Sequence, residues 1–468
     1  MPYPNERASR LGHVPTVSNQ AVQEAFARWE VAQAKPEDSD RVTSLCVPVD
    51  SLSSPSPSAD VKFAITVDGS DSEVEVTRQY PTVKVGYLRI AGSFLDLDKI
   101  VRAGNGPFVN PRQIREAHSE AAFDAALPGS GLIRPGQNGR DTWRQEVDHF
   151  LCTSRFDQDS TSTLADALLA MHGTPGHPAE SVPIRACPSC GFGFTSGNAP
   201  RVNASGGTCS ECNATLYLAD VLRTHDEYSP EGSNQTAITR VMLVAERLMT
   251  LSYLEHFCTK LEAPEAVLRH TIFITDGPLA LFGVVAPLKR RLQTYHDAVN
   301  EWGVSKGIAA PLLVGIEKTG RFVEHADLIA DLIPRGSVMR LTTDYINRMT
   351  GRPDGHEYGR DEFYGRRFIY RTTSGDPLVI TVPPKAGVLP YEGAAAEEFD
   401  SYPTLRIVCE VLDRVRTRLY SNAVIPVALA HNAASLPLGV GHSVLRAMAQ
   451  NGIQLPRDSQ IRYRSPFK

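Results

Sequence analysis

Two aspartates stand where apolar runs give out. Thr271 to Thr275 is a largely apolar run that ends on Asp276, and Gly277-Pro278 follow at once. Far upstream, Val61 to Val67 ends on Asp68-Gly69-Ser70 in the same way. Short apolar runs bounded by turn residues read as buried strands. A carboxylate at the end of such a strand lies where an α/β sheet opens to solvent, a frequent place for a metal ligand or catalytic acid. Together the two suggest one shared site for a hard divalent cation such as Mn2+ or Mg2+, which takes oxygen ligands. Each Asp-Gly alone also suits a plain turn.

Such a cation needs more ligands. Glu246 lies in MLVAERLMTL, inside a long apolar helical pattern from Thr236 to Lys260. A glutamate there is costly unless it is paired or bound to metal. Glu255 competes for the role on the same helix, and the Glu246-Arg247 neighbours also fit a plain salt bridge. Carboxylates holding Mn2+ or Mg2+ can activate water and stabilise a leaving oxygen, as phosphodiester cleavage requires.

A second constellation is Cys187-Pro-Ser-Cys190 and Cys209-Ser-Glu-Cys212. C-x2-C pairs at this separation match a zinc ribbon, in which two tight knuckles close a tetrahedral Zn2+ site. The Gly/Ser/Asn-rich spacer offers little core, so metal would supply the folding free energy. A redox disulfide pair is the alternative. Cys46, Cys152, Cys258 and Cys409 sit beside apolar residues and read as buried thiols of a reducing compartment.

The elements that must position these groups follow a mixed order. Helices are expected at Ser18–Ala34, Thr236–Lys260, Pro287–Val304, Phe322–Leu332, Thr404–Leu419, Pro426–Ala434 and Gly441–Asn451. Strands are expected at Val61–Val67, Val74–Val76, Lys84–Ile90, Thr271–Thr275 and Ala310–Ile316, with an Arg366–Thr372 and Leu378–Val382 hairpin. Residues 51–60 read as an exposed Ser/Pro loop, and a Gly- and charge-rich loop is expected around Asp344. This order fits an α/β fold, a mixed β-sheet with helices on its faces.

Composition is that of an ordinary globular chain, and a net charge of −5 argues against a globally basic nucleic-acid binder. Lys289-Arg290-Arg291 and Arg366-Arg367 with Arg371 are the candidate local phosphate-contacting patches, each equally readable as a solvated face. No secretory pattern and no membrane-length apolar stretch is seen, so a cytoplasmic location is expected. No G-x-x-x-x-G-K-[ST] loop is present, so any ATP-driven step belongs to a partner.

The chain resembles the NurA nuclease family, partner of the HerA translocase. The resemblance rests on VDGS at Val67–Ser70, the Glu246 helix, ITDGPL at Ile274–Leu279, LLVGIEK at Leu312–Lys318, the RFIYRTTSGDPLVITVP hairpin and VALAHNAASLP at Val427–Pro437. It implies a ribonuclease H-like core that cuts DNA with Mn2+ or Mg2+. Asp68, Glu246 and Asp276 would bind the metal, His431 would complete the site, and Lys318 would contact phosphate or stabilise charge. It also implies a homodimer working with a HerA-like hexameric ATPase, in DNA end processing or anti-phage defence. On this reading residues 1–60 are an N-terminal helix and linker, 61–180 the first part of the core, 181–220 an inserted zinc ribbon and 221–468 the remainder of the core. The ribbon and the long Glu246-to-Asp276 segment depart from the family, which keeps Glu255 open as the ligand. The alternatives are a non-catalytic zinc-ribbon DNA-binding or assembly module of the same fold, and a ribbon scaffold with no nucleic-acid role.

Overall fold

The computed structural model describes residues 13–29, 39–55, 57–77, 82–104, 116–155, 161–195, 197–307, 310–353, 355–416, 424–436 and 440–453. Among the described residues thirteen strands run in chain order. Four precede the cysteine segment: β1 (Cys46–Pro48), β2 (Phe63–Thr77), β3 (Val83–Asp96) and β4 (His118–Pro128). Four two-residue strands lie in that segment: β5 (Val182–Pro183), β6 (Arg201–Val202), β7 (Gly207–Thr208) and β8 (Thr215–Leu216). Five follow it: β9 (Thr271–Asp276), β10 (Leu312–Glu317), β11 (Ser337–Arg340), β12 (Arg366–Arg371) and β13 (Pro377–Val382).

Nine of these strands form one sheet, in the order β1-β11-β12-β13-β10-β9-β2-β3-β4. The central trio β10, β9 and β2 is parallel, and the flanks are antiparallel. The trio is covered on both faces, as parallel strands usually are. Side chains alternate along β2. Ile65 and Val67 pack with the Gln235–Thr259 helix and with Trp143, Phe273 and Tyr295. Ala64 packs the opposite way, with Ile272, Ile274 and Val314, against the helices Leu405–Val415 and Ile425–Ala434.

The expected fold class, a mixed sheet flanked by helices, is what the structure has. One expectation is corrected. Asp68 is not at a strand end, because β2 runs on to Thr77 and takes in Val74–Val76. Asp68, Gly69 and Ser70 keep their places in the ladder, opposite Ala91, Ile90 and Arg89 of β3. The neighbour β9 stops instead, and its pairing with β2 reaches only Val67↔Thr275. Gly277 follows at φ 81 and bends the chain away, a conformation that suits glycine.

Three strands lacked a legible pattern. β1 and β11 are too short, and β4 is a sheet-edge strand of mostly small or charged residues. Asp344 lies in a helix, Thr343–Thr350, whose N-cap Thr342 accepts from Tyr345 N. The expected Ser18–Ala34 helix is found as Gln20–Ala27, with a separate single turn, Val14–Val17, before it, and residues 30–34 lie outside the described residues. The helix expected to reach Leu419 spans Leu405–Val415, and residues 417–419 lie outside them as well.

A buried ion pair ties β12 to β10 beneath the site. Arg367 donates to both Glu317 oxygens at 2.6 and 3.1 Å and to Tyr358 Oη at 2.6 Å. Its guanidinium lies 3.7 Å from the Phe322 ring centre. Removing one partner strands a buried charge. Arg367→Met is expected to destabilise the protein by about 3–5 kcal/mol. The check is a lowered urea midpoint, which Glu317→Leu/Arg367→Met should partly restore.

Candidate metal centre

Where β9 ends and β2 continues, the sheet has an opening, and three side chains converge on it. Asp68, Asp276 and His431 each offer a ligand atom, and these atoms lie within 4.8 Å of one another. Asp68 is buried, Asp276 half-buried and His431 exposed. His431 Nδ1 is 2.9 Å from Asp68 Oδ2. Lys318, one residue past β10, donates to Asp276 Oδ2 at 2.8 Å. Asp68 Oδ1 accepts from the backbone N–H of Gly69 at 2.8 Å.

The Asp68-Gly69-Ser70 triplet looks like a turn in sequence, yet each residue has a separate task in an extended strand. Asp68 and Ser70 share one face. Ser70 Oγ donates to Ala434 O at 2.5 Å and accepts from Leu436 N at 2.9 Å, which pins the end of the His431 helix. Arg89 of β3 adds a bond to Ala433 O at 2.8 Å. Gly69 faces the other way, toward the Gln235–Thr259 helix. A Cβ there would meet Glu246 Oε1 at 2.7 Å and Met242 Cγ at 2.8 Å. The missing side chain lets the glutamate reach the sheet.

Glu246 therefore lies beside the cluster rather than within its 4.8 Å group of ligand atoms. Its Oε2 is 3.4 Å from Arg247 Nη1. Glu255 sits about 14 Å further along the helix axis. It is spent on other contacts, accepting from Gly176 N at 2.9 Å and from Tyr295 Oη at 2.5 Å. Gly69, Ser70 and Arg89 were not anticipated in these roles from sequence, and Arg247 only as a plain salt-bridge partner of Glu246. The only available signal was a Gly inside a strand-like run, which marks close approach of another group.

Of the two anticipated basic patches, the Arg366, Arg367 and Arg371 group is largely internal, and the other is so only at Lys289. Lys289 is buried and donates to Arg360 O at 2.5 Å. Arg366 is buried and donates to Pro390 O and Leu341 O, both at 2.7 Å. Arg367 is held by Glu317, and Arg371 bonds Ile333 O and Asp331. Arg290 and Arg291 remain exposed. The readings of Lys289, Arg366, Arg367 and Arg371 as phosphate contacts are therefore set aside.

The cysteines form a second potential metal site. The four ligand sulfurs of Cys187, Cys190, Cys209 and Cys212 lie within 4.8 Å of one another. Both knuckles are built alike. Gly191 N donates to Cys187 O and Asn213 N to Cys209 O, and Gly191 and Asn213 are left-handed at φ 74 and 58. Arg144 fastens this segment to the Gly139–Thr153 helix. It pairs with both oxygens of Asp220 at 2.8 Å and donates to Thr215 O at 2.8 Å. Of the other cysteines, Cys258 and Cys409 are buried, and Cys46 and Cys152 are half-buried.

No family model and no curated protein sequence matches the chain. Solved structures of NurA nucleases align along nearly all of it. That of the NurA nuclease from Sulfolobus solfataricus covers 96% of this chain and 100% of its own, at 8% identity and TM-score 0.34. A second NurA structure covers 95% and 96%, at 10% identity and TM-score 0.27. NurA with manganese covers 95% and 99%, at 10% identity and TM-score 0.22. Likenesses at these TM-scores carry no weight for function. Among the described residues no helix is long and apolar enough to cross a membrane.

Burial and then the charge of Asp276 push the Asp68 carboxyl up to about 6, against the pull of Lys318 and His431. Burial above all pushes Glu246 up to about 8; Arg247 opposes this, and Asp68, Asp276 and Asp71 add to it. Carboxyls raised in the folded state take up protons on folding, so their contribution is full below their ordinary pKa values and is lost as pH rises through the folded ones. In chelator, Tm is expected to fall between about pH 5 and about pH 8.5. Added Mn2+ should raise Tm more at the upper end, where the carboxylates are ionised. A Tm that rises across this range, or an Mn2+ effect equal at both ends, contradicts the assignment.

Proposed function

We propose that this chain is a metal-dependent deoxyribonuclease of NurA type, with a ribonuclease H-like core. The observation that carries the reading is the convergence of Asp68, Asp276 and His431 at one opening of the sheet, with Lys318 on Asp276. Carboxylate oxygens and one imidazole suit Mn2+ well and Mg2+ adequately. Asp68, Asp276 and His431 would hold the cation, with Glu246 completing the set from across Gly69. When bound, such a cation activates water and stabilises charge on the leaving oxygen.

The protein groups supply the rest. The strand ladders hold Asp68 and Asp276 at fixed separation. His431 stands on the solvent side, oriented through its contact with Asp68. Lys318 neutralises Asp276 in the free protein. With a cation on that carboxylate, the ammonium is free to donate to a phosphate oxygen. Exposed Arg290 and Arg291 offer further phosphate contacts. Residues 61–180 and 221–468 would form the core, since β9 and β10 from the second part pair around β2 from the first. The 181–220 segment would be an inserted ribbon with Zn2+ on its four thiolates.

Net charge of −5 implies weak intrinsic affinity for DNA at physiological salt. Weak affinity suits delivery of DNA by a partner, and the resemblance alone implies that this is a HerA-like hexameric ATPase serving a homodimer in the cytoplasm, in end processing or in defence against foreign DNA. The pairing of Glu246 with Arg247 favours the second reading, a non-catalytic DNA-binding or assembly module in which the carboxylates are structural.

One assay separates the two. Purified protein is incubated with linear duplex and single-stranded DNA in Mn2+, Mg2+ or EDTA, with and without the ATPase and ATP. Cleavage should need the cation and rise strongly with ATPase and ATP together. Asp276→Ala should abolish it. Asp68→Ala should do the same while raising Tm in chelator, because one of two repelling carboxylates is gone. Wild-type cleavage by Asp276→Ala would remove the catalytic assignment, and no cleavage under any condition would leave the non-catalytic module.

Zinc content is a separate test. Elemental analysis should find about one Zn2+ per chain. Cys187→Ser should lose it and loosen the 181–220 segment. Chelator-free protein without zinc would contradict the site.

A further inference from the structure

Arg247 is a buried arginine in the middle of the Gln235–Thr259 helix, 3% exposed. It touches two pieces of the candidate centre that come from different elements. Nη1 lies 3.4 Å from Glu246 Oε2. Nη2 donates at 3.0 Å to the carbonyl of Pro278, two residues beyond Asp276. The Arg247 Nε has no partner in the structure, so the fork is used only at its tips.

Adjacent residues on a helix point about 100° apart and do not normally face each other. Here Arg247 reaches toward the Gly277-Pro278 turn and still touches Glu246 at its Oε2 edge. That leaves Oε1 on the Gly69 side. A planar fork can hold two acceptors at a fixed spacing, which a single ammonium cannot. The guanidinium thus sets the distance between the helix that carries Glu246 and the turn that ends the Asp276 strand.

We propose that Arg247 is a positioning residue for the cation centre. It holds Oε2 of Glu246 so that Oε1 is presented over Gly69, and it fixes the turn behind Asp276. The proposal rests on the metal-centre reading above and names a group that touches neither cation nor substrate. Outer partners of metal ligands characteristically control affinity in this way.

The test measures Mn2+ binding directly, by the loss of the free-ion electron paramagnetic resonance signal on titration. Arg247→Lys keeps the buried charge but loses the fork. Its Mn2+ dissociation constant is expected to rise by about 10- to 100-fold, with the thermal transition retained. Arg247→Gln still reaches one acceptor and should weaken Mn2+ comparably, so the proposal stays testable if one variant folds poorly. In a Glu246→Gln background Arg247→Lys should add less than it does alone, because part of its effect passes through Glu246. An unchanged constant in a folded Arg247 variant, or fully additive losses in the double variant, overturns the proposal alone. Wild-type protein that takes up no Mn2+ overturns the metal-centre reading itself.

Discussion

Carboxylates crowded into a partly dry site repel one another and lose hydration, and the rest of this structure answers that problem. Each of the three acids has a basic side chain beside it. Asp68 has His431, Asp276 has Lys318 and Glu246 has Arg247. The partners arrive from a C-terminal helix, from the residue after β10 and from the central helix. No single element could supply all three, since a strand offers only alternate positions to one face. The sheet order brings β2, β9 and β10 side by side, and the helices on its two faces deliver the remainder. The compensation is incomplete, since Asp68 and Glu246 still hold their protons too tightly. On the reading proposed above, a bound cation would relieve that strain.

Sequence made the acids legible and their surroundings much less so. Asp276 was readable in residue and in place, because an apolar run, an acid and Gly-Pro mark a strand that stops. Asp68 was readable only as a residue. Its Gly-Ser successors mimic a turn, and nothing local shows that β3 continues to pair with them. Glu246 stood out against its apolar helix. The preference for it over Glu255 needed tertiary contacts, because both are one-residue interruptions of the same pattern. His431 and Lys318 entered through the resemblance, and the structure brings both to the two aspartates. The basic clusters misled for a plain reason. Charge is visible in composition, whereas burial is not, and Arg366, Arg367 and Lys289 serve carbonyls and carboxylates inside the fold.

The cysteine segment shows the same division. Spacing forecast two knuckles, and two matching turns are found, each with a left-handed residue after its second cysteine. Spacing said nothing of how the segment is held. Arg144 does this from a helix outside it, through Asp220 and the carbonyl of Thr215. The four thiol positions thus sit on a fixed base rather than on a free appendage.

Asp68 and His431 touch across a separation of 363 residues. The last partner of the first acid is therefore made long after the acid itself. During synthesis the sheet can assemble around β2, β9 and β10 while the imidazole and the helix end pinned by Ser70 are still missing. Long-range contacts of this kind form late, because closing so large a loop gains nothing until both ends are in place. The cluster of Asp68, Asp276 and His431 thus stays incomplete until the strands that carry its two aspartates have been made.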